Sequence, residues 1–242
     1  MFMVSHLNGF GVAAAAGGAT DPNFASVGLL LHMDGADAST TFTDNSSSAK
    51  TVTAVGNAQI DTAQSKFGGA SGLFDGTGDN LTLADSADWF MDTGNVTVEF
   101  WIRFNAVTGL YYAVSQYVDG NNFLAVIFNF TAAVGARFFI LNGGAFDVDF
   151  SQGATTGWST GTWYHVALVR NGHDWAIYRD GTSIASTTDA SAWPNFAGTL
   201  YIGQLGDGTN YFNGWLDDLR ITKGVARYTA NFTPPTEAFP DA

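Results

Sequence analysis

The segment from residue 163 to residue 186 constrains the fold of this chain more than any other part of it. It reads WYHVALVRNGHDWAIYRDGTSIAS, and its three runs of apolar, β-branched and aromatic residues are separated by Asn171-Gly172 and Asp180-Gly181. Asn-Gly and Asp-Gly pairs adopt the positive φ angles that tight hairpin turns require. The pattern therefore predicts a meander of two β-hairpins.

A second strand signal lies at residues 96–104, where apolar and polar residues alternate over nine positions, VTVEFWIRF. A period of two predicts a strand with one face directed into a core. Residues 123–130 and 137–141 are apolar on both faces, as expected for strands inside stacked sheets. Further short strands are expected at residues 52–55, 73–75, 80–83, 111–117, 199–203 and 214–222. No helix of more than about two turns is predicted.

The composition fits one large all-β domain. The chain has 242 residues, of which 46% are hydrophobic, so disorder is excluded and a sizeable core can form. It has no cysteine, which excludes disulfides, thiolate zinc sites and a cysteine nucleophile. The net charge of −13 repels a phosphate backbone and argues against nucleic-acid binding.

The first 20 residues differ from the rest because they are small and apolar, and the first lysine or arginine of the chain is Lys50. They lack the basic start of a secretory signal, and they are too short to span a bilayer. We expect residues 1–25 to form an extended apolar arm that docks on a partner or a sister subunit, and residues 26–242 to form the domain. A cleaved leader is the alternative that the alanine run leaves open.

Seven motifs in a fixed order give the chain a family resemblance. They are LLLHMDG from Leu29, SKFGGASGLFDGTGDNLTL from Ser65, VTVEFWIRF from Val96, TWYHVALVRNG from Thr162, AIYRDGT from Ala176, LYIGQ from Leu200 and FNGWLDDLRITKGVARYTANFTPP from Phe212. This set resembles the laminin-G-like, concanavalin A-like jelly-roll superfamily. The resemblance implies an all-β fold, a two-sheet antiparallel jelly-roll sandwich with its termini close together.

The resemblance also suggests where such a domain is used. The ending DDLRITKGVARYTANFTPP is similar to domains that bacteriophages encode on virion surface, tail and fibre proteins. It implies a component of a phage particle, located in the virion. We expect such a component to contact other virion proteins through the apolar residues 1–25 and to form a homo-oligomer. A secreted or surface lectin is the alternative.

Calcium is the cofactor that the sequence suggests. Ca²⁺ takes hard oxygen ligands from aspartate, asparagine and backbone carbonyls in glycine-containing loops. In the family that the chain resembles, metal often lies between an FDG-type loop and the carboxylates of the GWLDDLRI-type strand. The residues nominated in this way are Asp75, Asp79, Asn80, Asp217 and Asp218, with Asp34 as a sixth. The alternative is that these residues form solvated turns and that Arg220 pairs with Asp217 or Asp218.

Catalysis is not expected from this sequence. Glu99 and Glu237 are the only glutamates, so the paired acidic residues of laminarinase-like relatives are missing. Asp147 and Asp149 share one predicted strand face, but a surface strand explains them equally well. No serine elbow, zinc-protease motif or phosphate-binding loop is present. We therefore expect a protein that is not an enzyme.

Sugar binding is the activity that the sequence supports better. Aromatic platforms beside aspartate or asparagine acceptors bind sugars, and the loops of a rigid sandwich are suitable places for them. The aromatic residues that lie among glycine, asparagine, serine or proline are Tyr111, Tyr112, Trp158, Trp193 and Tyr211. Burial in the core is the alternative for each of them. The sequence thus predicts a noncatalytic particle protein that binds a host-surface glycan.

Overall fold

The computed structural model describes residues 20–242, so most of the predicted arm at residues 1–25 lies outside the described residues. The described part contains fifteen β-strands in two antiparallel sheets. Its helices are two 3-10 turns of three residues each, Phe24–Ser26 and Ala87–Trp89. No helix within residues 20–242 is long and apolar enough to cross a membrane. The predicted all-β, two-sheet jelly-roll is confirmed.

One sheet has eight strands, and it carries the candidate site. Its order is β13 (Thr182–Thr188), β12 (Asp174–Arg179), β11 (Trp163–Asn171), β6 (Val96–Phe104), β15 (Asn213–Lys223), β4 (Ser71–Asp75) and β3 (Gln59–Asp61), and β1 (Val27–Leu31) also pairs with β15.

The other sheet has seven strands and packs against the first. Its order is β10 (Ala145–Ser151), β9 (Gly135–Asn142), β8 (Asn122–Asn129), β7 (Leu110–Asp119), β14 (Thr199–Ile202), β5 (Asn80–Leu83) and β2 (Thr53–Val55). The predicted strands all occur, with ends that differ by a few residues. The expected strands include neither β1 nor β3.

The predicted meander is confirmed in strands β11, β12 and β13. Gly172 and Gly181 both adopt positive φ, at 63° and 75°, and Asp180 does so at 48°. The first turn holds β11 and β12 in continuous antiparallel register, with Val169 opposite Ala176, whereas the register of β12 against β13 shifts once, between Ile177 and Tyr178. Local turn chemistry therefore determines the pairing at this edge of the sheet.

The core between the sheets contains the large aromatic side chains. Phe138 stacks on Trp175 and on Trp193, with centroid distances of 5.4 Å in both cases. Phe104 contacts four further aromatic rings edge-on and one in a tilted orientation. Such pairs add to the hydrophobic stabilisation of a sandwich core.

The outer face of the eight-stranded sheet is also buried over its central strand β6, which the alternation of β6 does not predict. Thr97 and Glu99 are completely buried on that face, and Trp101 is 4% exposed. The cover is the segment that follows β15, residues 224–242, which we call the strap. Its Tyr228 and Phe232 pack over β11 and β12, and its Phe239 packs over β1.

A buried ion network lies under the strap. Arg220 donates to Glu99 Oε1 through Nε at 3.0 Å and Nη2 at 2.7 Å, and to Asp21 Oδ2 through Nη1 at 3.1 Å. Arg227 also donates to Asp21, and the hydroxyl of Tyr228 donates to Glu99 Oε2 at 2.8 Å. Burial opposes ionisation of Glu99, but the charge of Arg220 and the hydrogen bond and charge of His165 lower the pKa of Glu99 to about 2.

This network corrects the expectation that Arg220 pairs with Asp217 or Asp218. Its carboxylate partners are Glu99, 121 residues earlier in the chain, and Asp21. A buried guanidinium needs compensation, and these two carboxylates supply it from positions 78 residues apart in the sequence.

Replacing Glu99 with glutamine should destabilise the domain by about 3–5 kcal/mol, because Arg220 would stay buried with part of its compensation removed. Urea unfolding followed by tryptophan fluorescence measures the change. The matched control is Asp149→Asn, which breaks a partly exposed pair with Arg137 and should cost less than about 1 kcal/mol. Equal losses in the two variants would contradict the assigned role of the network.

Candidate functional site

A β-bulge on β15 places two adjacent aspartates on the same face of the sheet. The register of β15 against β6 shifts between Asp217 and Arg220, and Asp218 adopts a φ of 48°. Leu216 and Leu219, on either side of the pair, both point into the core. The bulge thus directs Asp217 and Asp218 together to the outer face, whereas strict alternation would separate them.

Both carboxylates are already hydrogen-bonded. Asp217 Oδ2 accepts from the backbone N–H groups of Lys66 at 2.7 Å and Phe67 at 3.1 Å. Asp218 binds the ring of His32 at 2.6 Å and the backbone N–H of Phe239 at 2.7 Å. Burial raises the pKa of Asp217 to about 8, because its carboxylate would otherwise carry a poorly compensated charge next to Asp218.

The six nominated metal residues fall into two groups. Asp34, Asp217 and Asp218 are close enough to influence one another electrostatically. Asp75 lies opposite Asn213, four residues before Asp217 on β15, which corresponds to about 13 Å along the strand. The nominated ligands therefore do not converge on one point.

The second group stabilises its own loop. Asp79 accepts from the backbone N–H of Asn57 at 2.5 Å and of Asp75 at 2.9 Å, and Asp75 accepts from that of Thr77. Asn80 is buried at the start of β5. Within residues 20–242, no group of three or more acidic or histidine side chains is arranged to hold a metal ion. The oxygens of Asp79 are already satisfied, and calcium stays a prediction.

The nominated aromatic residues do not form a common platform. Tyr111, Trp158 and Trp193 lie in the core between the sheets. Tyr112 lies on the outer face of the seven-stranded sheet, where Leu205 packs against it, and Tyr211 is half-buried. Burial under neighbouring residues accounts for the position of the first four.

The outer face of β11, β12 and β13 carries a groove that none of the predicted ligand-binding residues lines. Its volume is about 320 Å³. We call it the strap groove. It is lined by Val169 and Asn171 of β11, by Asp174, Ala176 and Tyr178 of β12, by Ser183, Ser186 and Thr188 of β13, and by Tyr228 and Thr229 of the strap.

Small side chains in register produce this groove. Ala176 of β12 lies opposite Val169 on one side and Ser186 on the other, so the floor is low where the three strands pair. The strap packs on β11 and part of β12, and β13 remains largely exposed. A periodic search for small and hydroxyl residues at alternate positions of the two hairpins would have indicated the groove.

The wall on the strap side is held in place by the buried network. The ring of Tyr228 stacks on Phe232 at a centroid distance of 3.5 Å, and its hydroxyl is bound to Glu99. Burial and the neighbouring carboxylate raise the pKa of Tyr228. The side chain is therefore a preorganised aromatic edge.

The floor and the opposite wall supply polar groups. Asp174 Oδ1 accepts from Thr188 Oγ1 at 2.8 Å, and Asn171 pairs with Asp174 at the end of the hairpin. Ser183 and Ser186 add exposed hydroxyl groups. Hydroxyl, amide and carboxylate groups beside tyrosine are the chemistry that recognises a polyhydroxylated ligand.

Near the other end of the strap, His32 joins two carboxylates. Its Nδ1 binds Asp218 and its Nε2 binds Asp241, both at 2.6 Å. Burial lowers the pKa of His32, but the hydrogen bonds and charges of Asp218 and Asp241 outweigh it and raise the pKa to about 9. The charged imidazolium thus attaches the end of the strap to β15.

Stability should therefore fall at alkaline pH. Because the pKa of His32 is raised on folding, its contribution is complete below pH 6.5 and is lost as the pH rises through about 9. The free energy of unfolding of wild type should exceed that of His32→Gln by up to about 2 kcal/mol at pH 6, and this excess should vanish by pH 10. Urea titrations across this range measure it, and a constant difference would contradict the assignment.

Comparisons with known proteins agree with the fold. A family model described as the concanavalin A-like lectin/glucanases superfamily, of laminin G type, matches residues 75–227. Domain 4 of AbnA, a GH43 extracellular arabinanase from Geobacillus stearothermophilus solved with arabinotriose, is similar with a TM-score of 0.61 and 17% identity, covering 83% of this chain and 94% of that one.

Two toxin structures are similar as well. The binding domain of Paraclostridial Mosquitocidal Protein 1 has a TM-score of 0.61 and 15% identity, covering 84% of this chain and 50% of that one. The second is a structure of botulinum neurotoxin type C, whose cell entry is described as dependent on interaction with two ganglioside molecules. It has a TM-score of 0.58 and 16% identity, covering 84% of this chain and 49% of that one. This chain thus spans about half the length of the two toxin chains. No curated protein sequence matches it.

Proposed function

Because this chain belongs to the laminin G-type family of the concanavalin A-like lectin/glucanase superfamily, we propose that it is a noncatalytic glycan-binding domain and that the strap groove is its sugar site. One observation carries the proposal. The groove combines a fixed tyrosine wall with a floor of serine and threonine hydroxyls and a carboxylate at one end. These groups match the hydroxyls and the apolar ring faces of a sugar.

Two of the structural relatives support the class of ligand. The arabinanase domain was solved in complex with arabinotriose, and cell entry of neurotoxin type C is described as dependent on two ganglioside molecules. Both ligands contain carbohydrate, but gangliosides are acidic and arabinotriose is uncharged, so the two relatives support carbohydrate as a class and do not indicate its charge. The likeness is one of fold, so the position of the site in this chain rests on its own groove.

The noncatalytic part of the proposal rests on the carboxylates. Asp149 is engaged by Arg137 through two hydrogen bonds of 2.6 Å, and Asp147 accepts from the amide of Asn142. The β10 register shifts between Phe146 and Val148, so Asp147 lies at an irregularity of the strand. These interactions favour a structural role for the two carboxylates over a pair acting across a sugar.

The biological setting that we propose is the surface of a phage particle. The support is the resemblance of residues 217–235 to virion domains, a stretch that forms the end of β15 and the first half of the strap. In this setting, the part of residues 1–25 that precedes Asp21 contacts other virion proteins, since Asp21 itself belongs to the buried network of the domain. The domain forms a homo-oligomer, and the groove binds a host-surface glycan. A secreted calcium-dependent lectin is the alternative.

A glycan array tests the proposal, with the wild-type protein assayed both in calcium and in chelator. We expect binding to at least one glycan. Ser186→Trp should fill the groove floor and weaken that binding by about tenfold or more, because the indole occupies the volume that the sugar needs. The matched control is Thr53→Trp, which places the same ring on β2, an exposed edge strand of the other sheet.

Equal binding by the two variants would move the sugar site away from the strap groove. Failure of the wild-type protein to bind any glycan, in calcium or in chelator, would overturn the proposed activity itself. Loss of binding in chelator alone would favour the calcium-dependent alternative. Thermal unfolding of both variants checks that the added rings leave the domain folded.

A further inference from the structure

We infer that the strap groove accepts glycans that carry no acidic group and rejects those that do. The inference rests on the proposed function and adds the charge class of the ligand. Asp174 is the one carboxylate that lines the groove, and no lysine, arginine or histidine of the described chain lines it. Recognition of a sugar carboxylate or sulfate normally uses a guanidinium or ammonium group.

Two arginines that adjoin lining residues in the sequence are committed elsewhere. Arg170 follows Val169 on β11, but it is completely buried and donates three hydrogen bonds to backbone oxygens. Arg227 precedes the wall residue Tyr228, and its Nη2 is bound to Asp21 at 2.6 Å. Releasing either guanidinium toward a ligand would leave buried acceptors without donors, which is costly.

The carboxylate oxygen of Asp174 that accepts no hydrogen bond from the described residues determines which ligand groups can bind beside it. Its Oδ1 accepts from Thr188, and among the described residues no hydrogen bond reaches Oδ2. A carboxylate oxygen accepts hydrogen bonds and cannot donate them. It therefore pairs with a sugar hydroxyl or an amine, whereas a sugar carboxylate would present a second acceptor of the same charge.

The charge of the whole chain acts in the same direction. The net charge is −13, so an acidic glycan meets a repulsive field before it reaches the groove. The hydroxyls of Ser183 and Ser186 can donate to ring oxygens and hydroxyls without any charge. The groove thus has groups for a neutral sugar and none that neutralise an acid.

The experiment uses each neutral oligosaccharide that binds wild type and the same oligosaccharide oxidised to a carboxylate at C6. Isothermal titration calorimetry compares the pair at low and at high salt. We expect the acidic form to bind at least about tenfold more weakly at low salt, and the difference to narrow at high salt. Asp174→Asn should also reduce the difference in affinity between the neutral and the acidic oligosaccharide. Asp149→Asn, which removes an exposed charge on β10, should leave that difference unchanged.

Equal or tighter binding of the acidic form by wild type would overturn the inference while leaving glycan binding at the groove intact. A difference that Asp174→Asn and Asp149→Asn reduce equally would also overturn it, because the discrimination would then come from overall charge. Absence of binding to any neutral glycan would overturn both the inference and the proposed function. The comparison within wild type decides the question even if Asp174→Asn does not fold.

Discussion

The ion pair between Glu99 and Arg220 is the interaction on which the outer half of this structure depends. Both side chains lie on the outer face of a sheet whose other face already forms the core. A charge in that position must be paired with an opposite charge and shielded from water. Residues from both ends of the described chain supply the pairing and the cover. Asp21 supplies the second carboxylate for Arg220, and Tyr228 supplies the hydroxyl for Glu99.

The groove is a consequence of the same arrangement. The strap follows β15 directly, and its tyrosine reaches back to Glu99 on β6, which sets how far the cover extends across the sheet. The cover ends over part of β12, and the small side chains of Ala176 and Ser186 leave a shallow floor beside its edge. The same residue, Tyr228, thus completes a buried network on one side and forms the wall of a surface groove on the other.

The strands and hairpins could be predicted from the sequence because their signals are local. The Asn171-Gly172 and Asp180-Gly181 turns and the alternation in β6 each depend on a few neighbouring residues. Small and hydroxyl residues at alternate positions of the two hairpins could indicate the floor of the strap groove, but the complete groove could not be predicted in the same way. It requires the pairing register of three strands and the docking of a segment about 40 residues further along the chain.

The errors have equally physical reasons. Alternation assigns Glu99 to a solvent face, since nothing near it in sequence reveals that residues 224–242 return to cover it. Alternation also places Asp217 and Asp218 on opposite faces of β15. The bulge that brings them together has an aspartate at positive φ, so no glycine in the sequence indicates it. Loop-like surroundings suggested that Trp158 and Trp193 are accessible, but large aromatic rings next to turns still contribute to the core.

The meeting of the two ends of the described chain has a geometric consequence. The backbone N–H of Asp21 donates to the carbonyl of Ala242 at 2.6 Å, close to β1 and β15. The β13 edge lies four strand spacings from β15, or about 19 Å across the sheet. Any attachment made through residue 20 or residue 242 would therefore hold the domain near the interior strand β15 and leave the β13 edge, with the groove beside it, about 19 Å from the point of attachment.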